Sequence, residues 1–175
     1  MNLNTEQGQP SGPFAGYAAP EQRPSFASYA AFSALFNAGL AAGVVAAHRA
    51  GHDLPERIDG RDLLVMGVAT HKLSRLIAKD KVTAFVRAPF TELQGKGGPA
   101  EVEERARGEG LRRTVGELLI CPYCLGLWLS GSFHLGLLTA PRTTRFVASI
   151  LAGLTISDFF QIAYKAAEEK GLGGS

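Results

Sequence analysis

Apolar and polar positions fall in long blocks along this chain rather than alternating residue by residue. Residues 26–47 (FASYAAFSALFNAGLAAGVVAA) form a run without a charge, and residues 118–139 (LLICPYCLGLWLSGSFHLGLLT) form a second. Residues 146–164 carry Asp158 as their single formal charge, while the shorter stretch 63–78 holds His71, Lys72 and Arg75 in its second half. At about 1.5 Å per residue the longer runs match a hydrocarbon core about 30 Å thick. The pattern predicts an all-α fold, a polytopic membrane bundle of about four transmembrane helices near 26–47, 63–78, 118–139 and 146–164, in a membrane domain over 26–165. Stretch 63–78 either crosses, with Lys72 and Arg75 snorkelling to one interface, or lies as an interfacial helix. Asp62 is placed to cap it.

The polar segments set the rest of the organisation. Residues 1–25, with Pro10, Pro13, Pro20 and Pro24, read as a disordered tail, and residues 166–175 as a short polar tail. The first basic residue is Arg23, which is unlike the basic start of a secretory signal. Residues 79–117 read as a solvated loop with a flexible glycine-rich hinge at 95–99. A short charged helix is expected after it, over 100–107, with Glu101–Arg105 and Glu103–Arg107 as i,i+4 pairs. Pro89 ends any helix begun at Asp80 and leaves Phe90 to dock on the bilayer or the bundle.

Charge and composition narrow the partners. A net charge of +2, evenly spread, argues against a nucleic-acid surface. With four spans, the tail, the loop and the C-terminus would share 11 of the 18 Lys and Arg residues, against five on the other side. The positive-inside rule then puts both termini in the cytoplasm and the chain in the cell membrane as a multi-pass protein. Ala30, Ala34, Ala38 and Ala42 recur every fourth residue, Gly39 with Gly43 forms a small-xxx-small pair, and Ser149, Gly153 and Ser157 repeat the spacing. Such faces let helices approach closely in lipid, which suits a homodimer or another protein partner.

Candidate chemistry gathers in one layer. Measured from the cytoplasmic helix ends, Arg75, Cys124, Asp158 and His71 fall at similar depths, about 6 to 12 Å in. A carboxylate in lipid needs a donor, so Asp158 is expected to pair with Arg75, Lys72 or His71. An ion pair fixing helix register is preferred over a proton relay, because no second carboxylate lies in the spans.

Cys121-Pro122-Tyr123-Cys124 is the sharpest motif. Pro122 suits a first helical position and sets Cys121 near the N-cap, where the helix dipole favours a thiolate. Three readings stay open: inert thiols, half of a zinc site completed across a dimer or by His71 and Asp158, and a redox dithiol. No cofactor is expected, zinc being the one candidate. His48 and His52 have i,i+4 spacing broken by Gly51, His134 is isolated, and Trp128 suits a headgroup anchor.

Arg75-Leu76-Ile77-Ala78-Lys79-Asp80, Arg87-Ala88-Pro89-Phe90 and Cys121-Pro122-Tyr123-Cys124-Leu125-Gly126-Leu127-Trp128, in that order, resemble the bacterial family filed as domain of unknown function 1360. The likeness runs over about 63–163 and is carried by Arg75, Asp80, Arg87, Pro89, Phe90, Gly126 and Trp128 together with the two cysteines. The resemblance implies a small integral membrane protein in a family that includes a sporulation-associated member, and it implies no activity. The expectation is a non-enzymatic scaffold or assembly partner, with no catalytic residues named; the alternative is a membrane-embedded CxxC thiol-redox or zinc-binding protein.

Overall fold

The computed structural model describes residues 26–172. The tail expected over 1–25 and the last three residues lie outside them. The elements are α1 (Phe26–Arg49), α2 (Gly60–Ala78), a 3-10 turn (Lys81–Thr83), α3 (Ala84–Arg87), β1 (Thr91–Lys96), β2 (Val102–Ala106), α4 (Gly110–Leu119), α5 (Pro122–Thr139) and α6 (Pro141–Leu172). The fold is therefore mostly helical, and the all-α expectation is corrected by a two-stranded sheet.

Two helices, α1 and α6, are long and apolar enough to cross a membrane, with mean hydropathies of 1.7 and 1.6. A third span arises only if α4 and α5, bent by 79° at their junction, are taken as one. The four-span expectation reduces to this coarser statement because α2 carries Arg61, Asp62, Lys72 and Arg75 within 19 residues. The apolar run 118–139 is broken for a local reason. Pro122 has no N–H to continue a helix from α4, so the chain turns at Ile120 and Cys121 and restarts with Pro122 in the first turn.

Helix ends follow their capping residues. Gly51, at φ 85°, closes α1 in a Schellman arrangement: its N–H bonds to the His48 carbonyl and that of His52 to the Ala47 carbonyl. Asp59, not Asp62, is the N-cap of α2, its carboxylate accepting from the Arg61 N–H at 2.7 Å. α6 begins earlier and ends later than the apolar run, taking in residues expected in the polar C-terminal tail.

The core lies where α2, α5 and α6 meet: Met66, Ala69, Phe133, Ala148 and Leu151, with Val65, Leu73 and Leu137 against them. Small residues set the approach distances. A Cβ on Gly136 would lie 2.6 Å from the Thr144 hydroxyl across the α5–α6 turn, and one on Gly43 would meet Leu135 at 2.7 Å between α1 and α5. Trp128 is half-buried and meets Phe36 of α1 edge-on at 5.3 Å, so it is a packing residue of the α1–α5 contact.

Candidate functional site: a polar hairpin locked to the helices

At one end of the bundle, the segment between α2 and α4 is an antiparallel hairpin. β1 pairs with β2 from Thr91↔Ala106 to Lys96↔Val102, with a bulge between Leu93 and Gly95. The glycine-rich hinge becomes its turn, where Ala100 takes φ 63°. The expected helix over 100–107 is thus overturned, and so are its ion pairs. Arg105 bonds instead to Glu92, its register partner, at 3.2 Å, and the Arg107 guanidinium donates to the Pro89 carbonyl.

Spacing explains the outcome. Arg75 in the last turn of α2 and Lys79, the residue that caps it, stand four positions apart, about 6 Å along the helix axis, while Glu101 and Glu103 stand two apart in extended chain, about 6.7 Å. The two rows match. Arg75 bonds to Glu101 at 2.5 Å and Lys79 to Glu103 at 3.0 Å. Backbone bonds run alongside: the Val102 N–H donates to the Lys79 carbonyl and the Lys81 N–H to the Ala100 carbonyl, both at 2.9 Å. As an isolated helix the segment would bury none of these partners.

Arg87 is the hub of this end. Its side chain is 0% exposed and its partner Glu104 is 6% exposed. The Nε donates to the Glu104 carboxylate, Nη1 to the Ile77 carbonyl at 2.5 Å and to the Thr83 hydroxyl at 2.9 Å, and Nη2 to the Asp80 carbonyl at 3.1 Å. One guanidinium therefore binds the C-terminal turn of α2, the 3-10 turn and β2. Asp80 caps that turn by accepting from the Val82 N–H at 3.0 Å, and α3 ends at Arg87, just ahead of Pro89. The Pro89 carbonyl accepts from both Arg107 and Arg112. Phe90 is half-buried and its carbonyl accepts from the Arg107 N–H. Exposed apolar side chains at this end include Val82, Phe85 and Val86, with Leu93 on β1 and Leu111 on α4.

α4 closes over the hairpin at Gly116, where a Cβ would lie 2.5 Å from the Phe90 carbonyl oxygen and 2.9 Å from the Ala106 Cβ. At its far end Glu117 accepts from Tyr29 at 2.5 Å, which ties the start of α1 to the same region.

The cysteine motif follows directly. Cys121 is the N-cap of α5 and its Sγ accepts from the Cys124 N–H at 3.2 Å. Cys124 and Tyr123 are exposed. The idea that His71 and Asp158 complete a zinc site finds no support: His71 is exposed, and Asp158 accepts from Lys72 at 2.6 Å. Among the described residues no group of three or more His, Cys, Asp or Glu could hold a metal. The layer expected from depth is thus divided. Lys72 and Asp158 bridge α2 and α6, Arg75 turns to the hairpin, and Gly126 brings α5 beside Thr70 of α2.

At the opposite end Arg145 forks onto Asp62, at 2.9 and 2.7 Å, and these hydrogen bonds hold the Asp62 carboxyl below its ordinary range. His48 and Asp53 pair at 3.0 Å in the same region.

Reading residue types in order could locate Arg87, Asp80 and Cys121 but not Glu101, Glu103, Glu104, Thr83 or Gly116. The available signal was the acidic i,i+2 pair following a basic i,i+4 pair.

A mostly helical chain with two helices long and apolar enough to cross a membrane, carrying a polar hairpin held by one buried arginine, defines the class of protein this is. The chain belongs to the family described as protein of unknown function (DUF1360), whose profile matches residues 65–164, more than half of it. It is similar to the sporulation protein YjcA of Bacillus subtilis (strain 168), 30% identical over 98 residues that cover 54% of this chain and 83% of YjcA. It is also similar to the UPF0713 protein YngL of the same organism, 29% identical over 100 residues covering 55% and 73%. No solved structure matches it.

Proposed function

We propose that the chain is a non-enzymatic, multi-pass membrane protein acting as a scaffold or assembly partner, with both termini cytoplasmic. The observation that carries this reading is the uncovered small-residue face of α1. Ala30, Ala34, Ala38 and Ala42 are all exposed, and a Cβ on Gly39 would meet nothing within 4 Å. In lipid such a ladder is a surface for another helix, and a second copy of α1 is the simplest one. The polar end supports the same reading, since Arg87 spends four of its five donors on the protein itself and is closed to any substrate. Orientation draws support from the basic residues of the hairpin and from α1 starting, and α6 finishing, toward that end. Sporulation, the process named for YjcA, is the setting this reading takes by analogy.

The test is the mass of the full chain in mild detergent, by light scattering, with crosslinking in native membranes. A dimer that becomes monomeric when Ala34→Leu and Ala38→Leu are combined is expected. A monomer at every concentration, or a dimer indifferent to both changes, would exclude self-assembly through this face.

A further inference from the structure

The end of the bundle opposite the hairpin holds a cavity of about 370 Å³ between α1, the loop joining it to α2, and the α5–α6 turn. Its wall is apolar, with Leu40, Val44, Leu135 and Leu138, and its mouth is charged, with Asp53, Arg57, Asp59, Asp62 and Arg145. The volume lies within the range of small-molecule sites, and one greasy wall under a charged mouth suits an amphiphile.

The charges at the mouth specify the headgroup. Asp62 is neutralised by Arg145, while Asp53, 3.0 Å from the His48 ring nitrogen, keeps its negative charge at the mouth. Arg57 has no ion pair or hydrogen bond among the described residues. Asp59 uses one carboxylate oxygen to cap α2 and keeps the other. A simple anion would meet Arg57 but be repelled by Asp53 and Asp59, and a simple cation would meet the reverse. A headgroup with both signs meets neither penalty.

We propose that this cavity binds a zwitterionic amphiphile, its acyl chain against Leu40, Leu135 and Leu138, its phosphate at Arg57 and its primary ammonium at Asp59. Phosphatidylethanolamine is the membrane lipid of that chemistry. The inference rests on the membrane reading above, because the ligand reaches the cavity from the bilayer.

Native mass spectrometry of the full chain in mild detergent, given equal amounts of phosphatidylethanolamine and phosphatidylglycerol with the same acyl chains, tests it. Retention of the ethanolamine lipid over the glycerol lipid by about tenfold is expected, and loss of that preference in Arg57→Gln combined with Asp59→Asn. Asparagine still caps α2, so the pair of changes leaves the fold intact. Equal retention of both lipids, or a preference that survives the double variant, overturns the proposal. Should that variant not fold, Leu138→Trp fills the cavity without touching its charges and must lower retention of the ethanolamine lipid by a similar factor; unchanged retention overturns the proposal as well. Failure of the membrane reading shows separately, as chain released from membranes by alkaline carbonate.

Discussion

Arg87 shows how much of this molecule depends on one side chain. A buried ion pair gives little net stability over an apolar replacement, but removing one member strands the other without water. Arg87→Ala leaves Glu104 buried without a counter-charge, with the Thr91 hydroxyl as its remaining partner, and also frees the Ile77 and Asp80 carbonyls. A loss of about 3 to 5 kcal/mol is expected, measured by unfolding in mixed detergent micelles. Adding Glu104→Ala should recover part of that loss; strict additivity of the two changes would show that the contact between them carries no energy. Cys121 is a milder case. As an N-cap it accepts one N–H, so Cys121→Ala should cost roughly 0.5 kcal/mol while Cys121→Ser, which keeps an acceptor, costs nothing measurable. A serine variant with full stability and lost biological activity would point to thiol chemistry, for which the geometry gives no support. The sequence made Cys121 legible because capping is local: proline at the next position is a signal within four residues. The partners of Arg87 come from three elements, so no local signal could name them.

At the scale of elements, the hairpin is where reading the sequence fails, and the reason is physical. Glu101, Glu103, Arg105 and Arg107 satisfy an i,i+4 rule worth only about 0.2 to 0.5 kcal/mol per pair. Two ion pairs to α2, two backbone bonds and the buried Glu104 outweigh it. Long apolar helices, by contrast, were legible because their signal is summed over twenty residues, and Asp158 was expected to pair with one of three cations of which Lys72 is the one placed opposite. α4 meets the hairpin through Gly116, whose close approach has no sequence signature. Gly116→Ala should cost about 1 to 3 kcal/mol, because a backbone carbonyl cannot yield to a methyl group. Gly67, also helical but facing open space, is the control: Gly67→Ala should stabilise by about 0.5 to 1 kcal/mol in the same unfolding measurement. If both changes have the same sign and size, α4 is not docked as described.

For the whole molecule the open choice is how the bundle sits in the bilayer. The exposed apolar surface of α1 and α6, including Leu35, Phe146, Ile150, Leu154, Phe159 and Phe160, is too extensive for water. α2 has the charges of a surface helix, yet it is bridged to α6 at two levels, by Asp62–Arg145 in its first turn and by Lys72–Asp158 in its second half. If α2 crosses alongside α6, the paired charges on their shared face lower the cost of its doing so. The loop containing Glu56 and the hairpin containing Glu92 should then lie on opposite sides of the membrane. In a chain with both cysteines changed to serine, Glu56→Cys should react with an impermeant maleimide added to intact cells, and Glu92→Cys only after permeabilisation. The reverse pattern would invert the orientation drawn from the basic residues. Labelling of both positions from one side would mean that α2 does not cross, and the two ion pairs to α6 would then have to form at a surface rather than within the bilayer.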